Sequence, residues 1–128
     1  MRAFIETETM NYSILPGRKG YIPFIIGVEE ILRNDQDDVY VTKFLYPKIA
    51  QICGTTPASV ERNFRELIRH AWEHGNPERF KKLFGFYDHN NPPSSKQFIC
   101  TFARRLKIKW SRMPQDARKA WLEKSPPS

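Results

Sequence analysis

Apolar residues recur at helical spacing along most of this chain, and no stretch alternates apolar and polar residues as a half-buried strand does. The segments with this pattern span about residues 21–33, 41–53, 57–74, 77–84 and 96–110. The residues predicted to face inward are Phe24, Ile25, Val28, Ile31, Leu32, Val41, Phe44, Leu45, Ile49, Ile52, Val60, Phe64, Leu67, Ile68, Ala71, Phe98, Ile99, Phe102, Leu106 and Trp110. The sequence therefore predicts an all-α fold, a compact bundle of several helices.

Helix ends are marked by residues with a clear capping role. Thr56 is a good N-cap and Pro57 a good first helical residue, so the third helix should begin there. Gly54 and Gly75 are typical stops for the second and third helices. Pro47 would disrupt a helix interior, so the second helix either kinks there or properly begins near Tyr46.

The chain is long enough for one domain with a real core. We divide it into an N-terminal segment, residues 1–18, a helical domain, residues 19–110, and a basic tail, residues 111–128, with a short helix around 115–123. The apolar residues of the tail either dock on a partner or fold back on the core. We favour the second alternative. These residues are Trp110, Met113, Trp121 and Leu122.

The junction between the second and third helices has helix-turn-helix spacing. Ala50 is small enough for two helices to cross closely, Gly54 suits a tight turn, and Val60 returns an apolar side chain to the joint. Asn63 stands where the motif often has another apolar residue, and we expect Phe64 to take over that packing.

The side of the third helix opposite its apolar stripe carries the candidate chemistry. Its residues are Ala58, Ser59, Glu61, Arg62, Arg65, Glu66 and Arg69. Arginine can form a bidentate pair with guanine, and glutamate can accept a hydrogen bond from cytosine, so this face suits the major groove of DNA. The alternative is an ordinary helical hairpin with a solvated arginine face.

Charge is unevenly distributed along the chain. Its formal net charge is +7, but residues 1–38 have four Lys/Arg against seven Asp/Glu, and the rest has 17 against seven. A basic body attracts polyanions, of which nucleic acid is the commonest inside cells. There is no apolar run long enough for a membrane span and no signal-peptide pattern at the N-terminus. We expect a cytoplasmic, nucleoid-associated protein.

Five short segments resemble one family in order. They are "KGY" (19–21), "VTKFLYPKIAQ" (41–51), "TTPASVERNFRELIRHAWEHGN" (55–76), "LFG" (83–85) and "SKQFI" (95–99). Together they resemble the C-terminal DNA-binding domain of the sporulation stage zero protein A family of response regulators, over about residues 12–109. The resemblance implies a helical bundle that binds short boxes in promoters, often as tandem copies on adjacent sites.

The resemblance also implies which residues contact DNA. The expected base-reading residues are Ser59, Glu61, Arg62 and Arg65. The expected backbone contacts are Thr42, Lys43, Thr56 and Arg69. The implied partners are double-stranded DNA, a second copy of the chain on tandem sites, and the transcription machinery or a full-length regulator.

Three features depart from the family pattern. Ser59 stands where the family usually has a base-contacting arginine, and Glu66 replaces a typical histidine. Only about 18 residues precede "KGY", so the phosphorylatable receiver domain has no counterpart here, and we expect control by something other than an aspartyl phosphate within this chain. These departures leave an alternative function, a stand-alone module that binds and modulates a full-length regulator or another transcription protein.

Catalysis and metal binding are not favoured. His70 and His74 are four residues apart on one helix, but the order of residues around them is not that of a zinc protease. Cys53 and Cys100 lack paired zinc-ligand spacing, and we expect two buried free thiols. No nucleophile–base order, phosphate loop or calcium loop is evident. We therefore expect no enzyme activity, no metal and no cofactor.

Overall fold

The computed structural model describes residues 1–34 and 41–124, and in those ranges the chain is helical and contains no strand. The elements are α1 (Arg2–Asn11), α2 (Tyr21–Arg33), a π-helical segment (Val41–Leu45), α3 (Tyr46–Cys53), α4 (Pro57–His74), α5 (Pro77–Phe84), α6 (Ser95–Arg112) and α7 (Gln115–Lys124). The prediction of an all-α bundle is confirmed.

The core lies where α2, α4 and α6 meet. Phe24 on α2 packs its ring edge-to-face against Phe64 of α4, with ring centroids 5.7 Å apart, and near Phe102 of α6 at 5.6 Å. All three side chains are fully buried. Gly27 lets α2 cross its neighbours closely, because a Cβ there would lie 2.9 Å from the Cδ1 of Ile99.

The boundaries of the predicted helices are largely confirmed. Thr56 accepts a hydrogen bond from the N–H of Ser59 as the N-cap of α4, and Ser94 caps α6 in the same way. α3 begins at Tyr46, so Pro47 lies in its first turn, where its missing N–H is not needed.

One helix was not predicted. Residues 1–18 contain α1, whose Phe4 and Ile5 are fully buried against the rest of the bundle. Its inner face also carries Glu8 and Thr9, whose polar side chains would be predicted from the sequence to face solvent. Both are satisfied internally: Glu8 pairs with Lys109, and the hydroxyl of Thr9 donates to the Glu6 carbonyl at 2.7 Å.

The C-terminal segment folds back on α1, as expected. The ring centroid of Phe4 lies 5.2 Å from that of Trp110 and 5.7 Å from that of Trp121, and Met113 is partly buried against the hydrophobic core. Leu122 does not join them, because its side chain remains 54% exposed. The short helix expected here is α7.

Part of the predicted inward face of residues 41–53 is wrong. Phe44 and Ile52 are 58% and 54% exposed, while Leu45 and Ile49 are buried. Phe44 lies in a π-helical segment, whose turn is wider than that of an α-helix, so α-helical spacing places it on the wrong face. Ile52 lies in the last turn of α3, where residues 51–55 are all exposed. The side chain of Val41 lies outside the described part of the structure.

The prediction of two buried thiols is wrong for one cysteine. Cys100 is buried on α6, but Cys53 is exposed at the end of α3, next to the turn. Both are free thiols.

Candidate nucleic-acid interface

α3 and α4 are joined by a turn of three residues, Gly54 to Thr56. Gly54 has φ +68° and ψ +40°, the left-handed conformation that glycine adopts at little cost. The N–H of Thr55 then donates to the Ala50 carbonyl at 2.9 Å and closes the end of α3. Ala50 and Val60 are 2% and 1% exposed, so they form the buried joint that their spacing predicts.

α4 is held against α3 by an aromatic contact. Phe64 packs against Tyr46 with ring centroids 5.4 Å apart and the ring planes nearly perpendicular. The hydroxyl of Tyr46 in turn donates a hydrogen bond to the Ser95 hydroxyl oxygen at 3.0 Å, which links α3 to α6. Burial raises the pKa of Tyr46, so this phenol stays a neutral hydrogen-bonding group. Phe64 is therefore buried in the packing role expected of it, while Asn63 is half-buried.

The outer face of α4 carries the charged side chains predicted for it. Glu61, Arg62, Arg65, Glu66 and Arg69 are all exposed. The opposite face of the same helix is buried, through Val60, Phe64, Leu67, Ile68 and Ala71. Because the buried stripe fixes the rotation of α4, the arginines are held outward on one surface.

The first turns of α4 contain a small polar network. The Thr56 hydroxyl donates to the Ser59 hydroxyl oxygen at 3.1 Å while accepting the Ser59 N–H. The guanidinium of Arg62 reaches back to the same Ser59 oxygen at 3.4 Å. Arg62 therefore lies near the N-terminal end of α4. The helix dipole and the backbone N–H groups at that end favour the binding of an anion.

The remaining predicted contacts lie before α3. Lys43 is exposed on the π-helical segment, which packs against α3 and α6. The side chain of Thr42 lies outside the described part of the structure. Lys43 therefore stands on the surface, on the helical segment that leads into α3.

Comparison with known protein families gives one that matches most of this chain. The family described as "sporulation initiation factor Spo0A C terminal" matches residues 5–106. The chain belongs to this family. As a member of this family, the chain is a DNA-binding domain of a transcription regulator. The family is not a known enzyme family.

The predicted DNA contacts include no residue of the loop between α1 and α2, although this loop lies within the segment that matches the family. The loop between α1 and α2 lies beside α4, and its end contacts the α4 backbone: a Cβ on Gly20 would lie 2.5 Å from the Asn63 carbonyl oxygen. Arg18 and Lys19 are exposed on this loop. Their only signal in the sequence is a basic pair directly before the "GY" of "KGY".

The histidine pair of α4 lies along the same flank. The rings of His70 and His74 are 4.4 Å apart, and partial burial, Arg18 and His74 together lower the pKa of His70. In residues 1–34 and 41–124 no group of three or more His, Cys, Asp or Glu side chains is placed to hold a metal ion. No helix in those ranges is long and apolar enough to cross a membrane.

Proposed function

We propose that this member of the family is a sequence-specific regulator that reads a short promoter box in double-stranded DNA. α4, residues 57–74, would lie with its N-terminal half in the major groove, which is wide enough to admit an α-helix. The observation that carries this proposal is the outer face of α4, where Arg62, Arg65 and Arg69 are exposed opposite a fully buried stripe.

The base contacts follow from the chemistry of that face. Arg62 and Arg65 are suited to the O6 and N7 atoms of guanine, and Glu61 can accept from the amino group of cytosine. Ser59 is a shorter, more permissive contact than the arginine usual in the family, and its hydroxyl also positions Arg62. We expect the box to be read less strictly at the base that Ser59 faces.

The backbone contacts would position α4 rather than specify sequence. Lys43 and Arg69 supply charge, together with Thr42. The Thr56 hydroxyl can turn its hydrogen toward a phosphate while it continues to accept the Ser59 N–H. Two copies would bind adjacent boxes in tandem, as the family resemblance implies.

The test is a selection from random duplex DNA at physiological salt. We expect a single enriched box, with binding that weakens as salt rises. If about five phosphates are neutralised, the slope of log affinity against log salt should be near −4.5. Tight capture of a full-length regulator with no enriched box would instead favour the stand-alone partner module.

A further inference from the structure

The loop that precedes α2 provides a second basic element beside α4. We propose that Arg18 and Lys19 bind the phosphate backbone along one edge of the groove that α4 occupies, so that the helix and the loop grip the same duplex. This inference rests on the proposed function and adds a contact to it.

The position of the loop is fixed by its packing against α4. With Gly20 in place the two backbones are so close that an added Cβ would lie 2.5 Å from the Asn63 oxygen and 3.2 Å from the Leu67 Cβ. At the other end of the loop Ile14 is fully buried, and its N–H donates to the Thr9 carbonyl at 3.0 Å. A loop anchored at both ends loses little conformational entropy on binding.

The loop borders the exposed face of α4 on one side. Asn63, Glu66, Leu67 and Arg18 line one open cleft between loop and helix. Successive residues of a helix are rotated by about 100°. Glu66 therefore lies between the outward arginines and the loop-facing Asn63. The duplex strand next to that edge of α4 would meet the loop.

Arg18 lies on the same flank of α4 as Glu66, because both residues line the cleft between loop and helix. The positive charge of Arg18 contributes to lowering the pKa of His70, which lies one helical turn beyond Glu66.

The charges of Arg18 and Lys19 remain available to an external anion. Among the residues described, no ion pair or side-chain hydrogen bond involves either one. Several other cations are neutralised within the fold, as in the pairs Lys48–Glu30 and Arg33–Glu29. Glu66 shares the cleft and weakens its potential, but two positive charges face this single carboxylate.

A nucleic-acid phosphate is favoured over an acidic protein because the basic loop flanks the arginine face of α4, with the single carboxylate of Glu66 between them. A duplex offers a closely spaced row of phosphates on either side of the groove, so one rigid ligand can contact both elements. An acidic partner protein is an outcome that the experiment below can detect.

The experiment compares charge-matched variants on the box enriched by selection. Affinity would be measured by fluorescence anisotropy over a range of salt concentrations for the full chain, for Arg18→Ala/Lys19→Ala, and for a control, Arg112→Ala/Lys119→Ala. The control removes the same charge from exposed residues at the end of α6 and on α7, which packs on α1.

Loss of two phosphate contacts should make the log–log salt slope shallower by about 1.8. If the affinities converge near 1 M salt, this corresponds to about 30-fold weaker binding at about 0.15 M. The control should change the slope by much less. The selected box should be the same for both variants, since phosphates carry no sequence information.

Ethylation interference would locate the contact on the DNA. Arg18→Ala/Lys19→Ala should remove interference at phosphates on one flank of the box and leave the rest. Equal losses in the two double variants, or a changed box in the loop variant, would overturn the inference while leaving the proposed function intact. A loop variant that binds DNA normally but loses an acidic protein partner would overturn it too. Failure of the unaltered chain to bind any duplex would remove both proposals together.

Discussion

Gly20 is the residue at which the loop, α2 and α4 meet, and its replacement by alanine tests the packing directly. The φ of Gly20 is −84°, which alanine adopts without strain. The added Cβ would nevertheless lie 2.5 Å from the oxygen and 3.0 Å from the carbon of the Asn63 carbonyl. These are backbone atoms of α4, so rotating a side chain cannot remove the clash. The start of α2 and the middle of α4 would have to move apart.

The cost can be estimated from that geometry. Overpacking of a well-packed contact costs about 1–3 kcal/mol, and glycine is also clearly preferred to alanine at the N-cap, the position that Gly20 occupies. We expect Gly20→Ala to lower the free energy of unfolding by about 2 kcal/mol. For a domain of this size the melting temperature should fall by about 8 °C.

Urea denaturation followed by tryptophan fluorescence would measure the loss. The matched control is Gly17→Ala in the same loop, where a Cβ meets no atom within 4 Å but φ is +91°. That variant should lose about 1 kcal/mol from backbone strain alone, with the amide resonances of Asn63 and Leu67 unmoved. The packing described here would be refuted if Gly20→Ala were as stable as the unaltered chain and left those resonances in place.

Three further substitutions probe α4. Thr56→Ala should cost about 1 kcal/mol of stability in urea denaturation, because the Ser59 N–H loses its acceptor, whereas Thr56→Ser should cost little. Glu66→Gln should tighten DNA binding about fivefold at physiological salt in anisotropy titrations, since it removes a negative charge beside the arginine face; unchanged affinity would place Glu66 away from DNA. The pKa of His70 is lower in the folded chain than in the unfolded chain, so the unfolded chain binds a proton at His70 more readily. The free energy of unfolding should therefore fall as the pH drops through about 6.5 and below. His70→Gln should make denaturation midpoints less pH-dependent over that range, and an unaltered pH dependence would contradict the assigned burial.

α4 shows how much a sequence can predict when local signals agree. The Thr56 cap, the apolar stripe through Phe64 and the stop at Gly75 all favour the same helix, and the structure has that helix, Pro57–His74. The exposure of Glu61, Arg62 and Arg65 follows from the same periodicity, since the side opposite a buried stripe faces solvent, whereas their base-reading role is what the family resemblance implies.

Other features depend on contacts between distant parts of the chain. Glu8 in α1 is buried because Lys109, about 100 residues later, neutralises it, and no local pattern contains that pairing. Phe44 is exposed because the segment that contains it is π-helical, which changes the spacing on which the prediction relied. The sequence contains Gly20 only as part of "KGY" and gives no sign of its packing role, which depends on how closely α4 approaches.

The measurement that tests the account most directly is a binding-site selection with Arg62→Ala, run beside the unaltered chain and Lys43→Ala. We expect Arg62→Ala to lose about 1–3 kcal/mol on the enriched box and to relax base preference at one position. Lys43→Ala should weaken all sequences alike. If Arg62→Ala kept both the affinity and the base preference of the unaltered chain, the outer face of α4 would not be the surface that reads DNA.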